Sequence, residues 1–84
     1  MNTITWSKKA QKQLFKISRP DAIAIYDKVD NLKQFPDSQN VKQLKNYKHT
    51  YRLRVGNYRV FFNHDTFVKI VSIEEVKKRD ERTY

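Results

Sequence analysis

Eighty-four residues with 38% hydrophobic content can build one small core but not two, so residues 1–84 are expected to form a single domain. Aromatics at 13% argue against wholesale disorder, and the lack of cysteine excludes disulfides, thiolate catalysis and cysteine zinc sites. Eighteen lysines and arginines against nine acids, a formal charge of +9, favour a polyanionic partner: nucleic acid, an acidic protein or an anionic membrane surface.

Residues 1–18 contain no continuous apolar run, so neither a signal peptide nor a membrane span is expected, and a cytoplasmic location follows as the default. Thr3-Ile4-Thr5-Trp6 reads as a short strand. Ser7 is placed as an N-cap, and Ala10, Leu14 and Ile17 recur behind it at helical spacing. Arg19-Pro20 breaks that helix. Ser18, Pro20 and Asp21 suit the start of a second, whose apolar face runs through Ala22, Ile25, Tyr26, Val29 and Leu32 until Phe35-Pro36.

Residues 41–44 read as a brief extended segment. Residues 50–55 and 58–63 alternate with period two, and Gly56-Asn57 between them suits a type II′ hairpin turn. A last strand is predicted over residues 67–73, reached through His64-Asp65-Thr66. The order β-α-α-(β)-β-β-β describes an α+β domain. Its N-terminal strand and helical hairpin precede a mainly antiparallel sheet of three to four strands, with the helices on one side.

The charge is concentrated where the strands are. Residues 41–72 carry seven basic groups, with Asp65 as their one acid. A two-residue turn sets Val55 opposite Tyr58, Arg54 opposite Arg59, Leu53 opposite Val60 and Arg52 opposite Phe61. Tyr51, Leu53, Val55, Tyr58, Val60 and Phe62 then share a core face. Arg52, Arg54, Arg59 and Phe61 share the other. Directly opposed guanidiniums cost up to ~1 kcal/mol, so the cluster reads as a site for a phosphodiester with a base stacked on the neighbouring ring.

Arginine keeps its proton, so these residues can bind phosphate or stabilise a phosphorane but are poor general bases. His49 reads as an exposed loop histidine or a proton-transfer group beside the arginine strand, and His64 as a second loop position; no metal site is expected from either. Glu74 and Glu75, placed after the last strand, read as a general base or as solvated carboxylates. Trp6 and Phe15 read as core or partner surface. With a single glycine there is no phosphate loop, and no cofactor is expected. The closing residues 77–84 read either as a polar tail or as a segment that folds Arg79 and Tyr84 back beside the arginines.

Over nearly its full length the chain resembles the RelE/ParE superfamily of type II toxin–antitoxin toxins. The resemblance is carried by Ile4-Thr5-Trp6-Ser7 with Ala10 and Leu14, by Val41-Lys42-Gln43-Leu44-Lys45, by the stretch from Tyr51 to Phe62, and by Lys78-Arg79 through Tyr84. It implies one of two activities. RelE-like members cut mRNA in the ribosomal A site by attack of a ribose 2′-hydroxyl on its adjacent phosphate, without a metal; ParE-like members inhibit DNA gyrase. A non-catalytic RNA-binding module is a third reading of the same basic face.

Carried residue by residue, the RelE-like catalytic set falls on Arg52, Arg54, Arg59, Arg79 and Tyr84. Lys45, Lys48, Phe61, Lys77, Lys78 and Arg82 are then the RNA-binding complement. The RelE toxin itself has lysines at the first two positions, so their replacement by Arg52 and Arg54 removes a plausible base. The implied partners are an acidic antitoxin and the mRNA-loaded ribosome, with no membrane and a monomeric free toxin.

Overall fold

The computed structural model describes residues 1–79, so Arg82 and Tyr84 of the expected site lie outside the described residues. Strand β1 (Thr3–Trp6) leads into helix α1 (Lys8–Phe15), whose N-terminus is capped by Ser7 Oγ accepting from the Ala10 amide at 3.0 Å. Helix α2 (Arg19–Asp30) follows with proline in its first turn and continues into a 3-10 turn, Asn31–Gln34. Strands β2 (Val41–Gln43), β3 (Tyr51–Val55), β4 (Tyr58–Asp65) and β5 (Ile70–Lys78) complete a five-stranded sheet in the order β1-β5-β4-β3-β2. Only the β1–β5 pair is parallel. The expected α+β architecture is the observed one.

One sheet face and the helices share the core. Leu53, Val55, Val60, Phe62, Val71, Ile73 and Val76 meet Ala10, Ile25, Val29 and Leu32, each buried. Tyr26, predicted for the same helical face, is 55% exposed and stacks on Trp6 with ring centroids 6.1 Å apart. Phe15 lies on the surface. Helix α1 also seals the edge of β5 beyond the end of β1. There Ser7 Oγ donates to the Glu74 carbonyl at 2.9 Å, and Gln13 Oε1 accepts from the Val76 amide at 2.6 Å. These contacts meet backbone groups that an open strand edge would leave to water.

The hairpin register is as predicted: Val55 pairs with Tyr58, Arg54 with Arg59, Leu53 with Val60 and Arg52 with Phe61. Gly56 takes φ +55° whereas Asn57 stays at negative φ, the sign pattern of a type II′ turn. A Cβ on Gly56 would meet nothing within 4 Å, so glycine is required there by its dihedral and not by space.

The last strand departs from expectation. Asp65 Oδ1 accepts from the amides of Phe67 at 2.9 Å and Val68 at 3.1 Å, and Lys69 takes φ +57°. This side-chain-anchored turn overrides the β propensity of residues 67–68 and leaves Phe67 93% exposed. Strand β5 therefore starts later and extends further, so Glu74 and Glu75 lie within it. A bulge shifts the pairing from Phe62–Ile73 to Phe61–Glu75, with Glu74 as the extra residue.

His64 is likewise part of β4 and not a loop residue. With Asn2 Nδ2 donating to the carbonyls of Leu32 (3.1 Å) and Phe35 (2.8 Å), Asn2 Oδ1 accepts from His64 Nε2 at 3.0 Å. One buried amide thus ties the N-terminus, the 3-10 turn and β4 together. Asn2→Ala leaves two carbonyls and an imidazole N–H unmet, and should lower stability by about 2–3 kcal/mol in urea denaturation. A loss below about 0.5 kcal/mol would show that water replaces the amide without penalty.

Candidate functional site

Pleating places alternate side chains of each strand on opposite faces, and the register aligns those of the non-core face into two rows. Lys42, Arg52, Phe61 and Glu75 form one row across β2, β3, β4 and β5. Arg54, Arg59 and Lys77 form the next. Arg79 follows β5, its amide donating to the Asn57 carbonyl at the hairpin turn. Arg52, Arg54, Arg59 and Arg79 consequently line one cavity of about 140 Å³, floored by Gly56 and Tyr58. Four of the five residues expected as catalytic are gathered there; the fifth, Tyr84, is outside the described residues.

The crowding has an electrostatic signature. Arg59 is made less basic than an ordinary arginine, first by burial and then by the charges of Arg52, Arg79 and Arg54. Arg52 Nε is buried without a hydrogen-bond partner. A buried donor without an acceptor is costly, and a phosphate oxygen would relieve both that cost and the mutual repulsion.

The expected RNA-binding residues divide. Lys45, Lys77 and Lys78, together with Phe61, border a second cleft of about 340 Å³ that shares Arg52, Arg59 and Arg79 with the first. Phe61 is only 6% exposed and so cannot stack on a base as expected. Tyr47, which the sequence reading passed over, lies above it with ring centroids 5.1 Å apart and remains 43% exposed. Lys48 points elsewhere, to Glu75.

Glu75, expected as a general base or a solvated carboxylate after the last strand, is instead buried within β5. It is 2% exposed and surrounded by three lysines and an imidazole: Lys9 at 3.2 Å and Lys77 at 3.5 Å from Oε1, Lys48 at 3.5 Å and His49 at 3.4 Å from Oε2. Burial alone would raise its carboxyl. The hydrogen bond from Lys9 and the charges of Lys77, Lys9 and Lys48 outweigh that and hold it below the ordinary carboxylate range. Glu75 in turn raises Lys77, helped by the neighbouring Tyr47. His49 is correspondingly not an exposed loop histidine: its side chain is 14% exposed and sits against Glu75. The available sequence signal was the Glu74-Glu75 doublet, which interrupts the alternation of β5 and marks the bulge.

Among the described residues, no group of three or more His, Cys, Asp or Glu side chains is placed to hold a metal ion, and no helix is long and apolar enough to cross a membrane.

Comparison with known proteins agrees with the fold. Residues 4–82 match the family model described as ParE toxin of type II toxin-antitoxin system, parDE. No curated protein matches the sequence. Among solved structures, the chain is similar to the Mycobacterium tuberculosis toxin–antitoxin complex RelBE2, at a TM-score of 0.80 and 23% identity over 93% of this chain and 98% of that one. It is similar also to the Pyrococcus horikoshii RelE–RelB complex (TM-score 0.82, 22% identity, 95% and 97% covered). The isolated Escherichia coli RelE toxin gives a TM-score of 0.80 at 14% identity, with 96% and 87% covered. At such identities the likeness is one of fold.

Because the folded Glu75 carboxyl is depressed, its stabilising contribution is fully present above the unfolded carboxylate value and is lost as pH falls through the folded one. Glu75→Gln should cost about 1–3 kcal/mol at pH 7, the partly exposed lysines softening the loss of a buried charge partner. The gap to wild type in urea denaturation should close as pH falls below about 4. A gap independent of pH would mean that shape, not charge, makes Glu75 necessary.

Proposed function

The chain belongs to the RelE/ParE superfamily of type II toxin–antitoxin toxins, and on that premise we propose that it is a ribosome-dependent endoribonuclease that cuts mRNA in the A site. The observation that carries this reading is the convergence of Arg52, Arg54, Arg59 and Arg79 on one cavity. In such a cleavage the 2′-oxygen attacks the adjacent phosphorus in line, and the bond to the 5′-oxygen breaks. The products are a 2′,3′-cyclic phosphate and a 5′-hydroxyl.

Negative charge on the non-bridging oxygens grows as the phosphorane forms. Guanidiniums already fixed around it stabilise that state without reorganising, in surroundings where hydrogen bonds to charge are strong. None of the four is suited to remove the 2′-proton. The protein's contribution is therefore alignment and charge stabilisation, with Tyr84 orienting the scissile nucleotide and the ribosome sharing in the positioning.

An antitoxin is the natural partner for such a face. The M. tuberculosis and P. horikoshii relatives are each solved as toxin–antitoxin complexes. For this chain we expect an acidic antitoxin that covers the arginine rows, its affinity declining with added salt.

The family model's own description names the ParE toxin, which favours gyrase inhibition as the second reading. Primer extension on mRNA from an in vitro translation reaction separates the two. The proposal expects cuts within A-site codons, lowered roughly 10²- to 10³-fold by Arg59→Ala or Arg52→Ala with the fold retained, as for loss of one transition-state donor. Intact mRNA together with trapped gyrase–DNA complexes would establish the second reading instead.

A further inference from the structure

Tyr47 and the 340 Å³ cleft beside the arginine cavity are not accounted for by phosphate binding. Tyr47 lies in the turn between β2 and β3, where Asn46 takes φ +58°. Its ring packs against Phe61 at 5.1 Å and His49 at 6.0 Å between centroids, and Lys77 lines the same cleft. Lys77 is in turn held by Glu75, as are Lys48 and His49 on either side of the turn's end. The ring is thus fixed from below and behind, yet 43% of the residue faces solvent. An aromatic ring braced in this way is already ordered, so stacking on it costs little additional conformational entropy.

The cleft adjoins the phosphate cavity through shared residues Arg52, Arg59 and Arg79, so a nucleotide whose phosphate enters one can place its base in the other. Its volume is at the lower end of the ~300–1,000 Å³ of small-molecule sites. Seven of the ten residues lining it are lysine or arginine. Leu44, Phe61 and Tyr47 supply the remainder, and among the described residues that line the cleft there is no carboxylate or side-chain amide. Glu75, next to Phe61 in the same row, is already surrounded by Lys9, Lys48, His49 and Lys77.

We infer that Tyr47 is a base-stacking platform and that the donor-rich cleft around it selects a nucleobase presenting acceptor edges, guanine or uracil, over adenine or cytosine. The inference deepens the ribonuclease reading and rests on RNA being the ligand. Guanine offers O6 and N7, and uracil two carbonyl oxygens, to the ammonium and guanidinium donors. Adenine and cytosine place an exocyclic amino group where guanine O6 and uracil O4 lie, so on that edge they offer the cations a donor in place of an acceptor, whereas guanine's own 2-amino group lies away from its O6–N7 edge. The stack supplies affinity for any base, and the donors supply the choice.

The test is fluorescence-anisotropy binding, at low salt, of four labelled tetranucleotides that differ at one central base and carry a 2′-deoxy substitution preventing cleavage. Wild-type protein should bind the guanine and uracil ligands at least about fivefold more tightly than the other two. Tyr47→Ala should weaken the preferred ligands roughly 5- to 100-fold, as for loss of one stacked base, whereas Tyr47→Phe should remain near wild type. Equal binding by Tyr47→Ala and wild type, an equal loss in both variants, or no preference among the four bases would overturn the inference. Primer extension on the same wild-type preparation keeps the outcomes distinct: selective, Tyr47-dependent binding without ribosomal cleavage would reject the ribonuclease reading and leave the stacking site standing.

Discussion

The tight connection at Gly56-Asn57 controls which side of the sheet receives each side chain of the hairpin. Because the pleat repeats every two residues, a register slip of one would carry Arg52 and Arg54 into the core and Leu53 and Val55 into water. Neither displacement is tolerable in so small a domain. The buried set of Leu53, Val55, Val60 and Phe62 therefore enforces the same register as the turn. Hydrophobic burial on one face and cationic display on the other are consequences of a single geometric constraint.

That constraint creates an electrostatic problem, and the fold answers only part of it. Around Glu75, cations from α1, from the β2–β3 turn and from β5 are drawn onto one buried carboxylate. The result fixes the turn that carries Tyr47 and joins helix to sheet. On the neighbouring strands β4 and β3, Arg59 and Arg54 face each other across the ladder, and Arg59 is made less basic by burial and by the charges of Arg52, Arg79 and Arg54. A carboxylate in place of either arginine would stabilise the isolated domain. The arginines stand close together instead, and on the proposed reading a polyanion would offset their mutual repulsion.

Most of this was legible in the residues, for identifiable reasons. The Gly-X turn determined the hairpin pairing, and alternation then named both faces correctly. Ser7 and the Pro20-Asp21 pair located both helix starts. The failures come from side-chain bonds, a bulge and a packing contact that period-two counting does not register. Asp65 folds residues 66–69 into a turn by accepting two backbone amides, overriding the β propensity of Phe67 and Val68. The Glu74 bulge returns Glu75 to the basic face, which period-two counting alone cannot anticipate. Phe61 was assigned to the right face, but its burial depends on Tyr47 packing over it from a turn whose course no local pattern reveals.

The chain belongs to the toxin superfamily, and its arginine cavity is the basis for the proposal that it holds an anion on this face of the sheet. The claim beneath that account is that Arg52, Arg54, Arg59 and Arg79 act as one anion-binding unit. It is tested most directly by following the arginine Nε–H signals in a ¹⁵N NMR titration of the free protein with a non-cleavable dinucleotide phosphodiester. The account predicts that these four resonances shift together and saturate with one common midpoint, while Arg19 on α2 does not move. Shifts spread evenly over all arginines, or confined to Arg19, would contradict it.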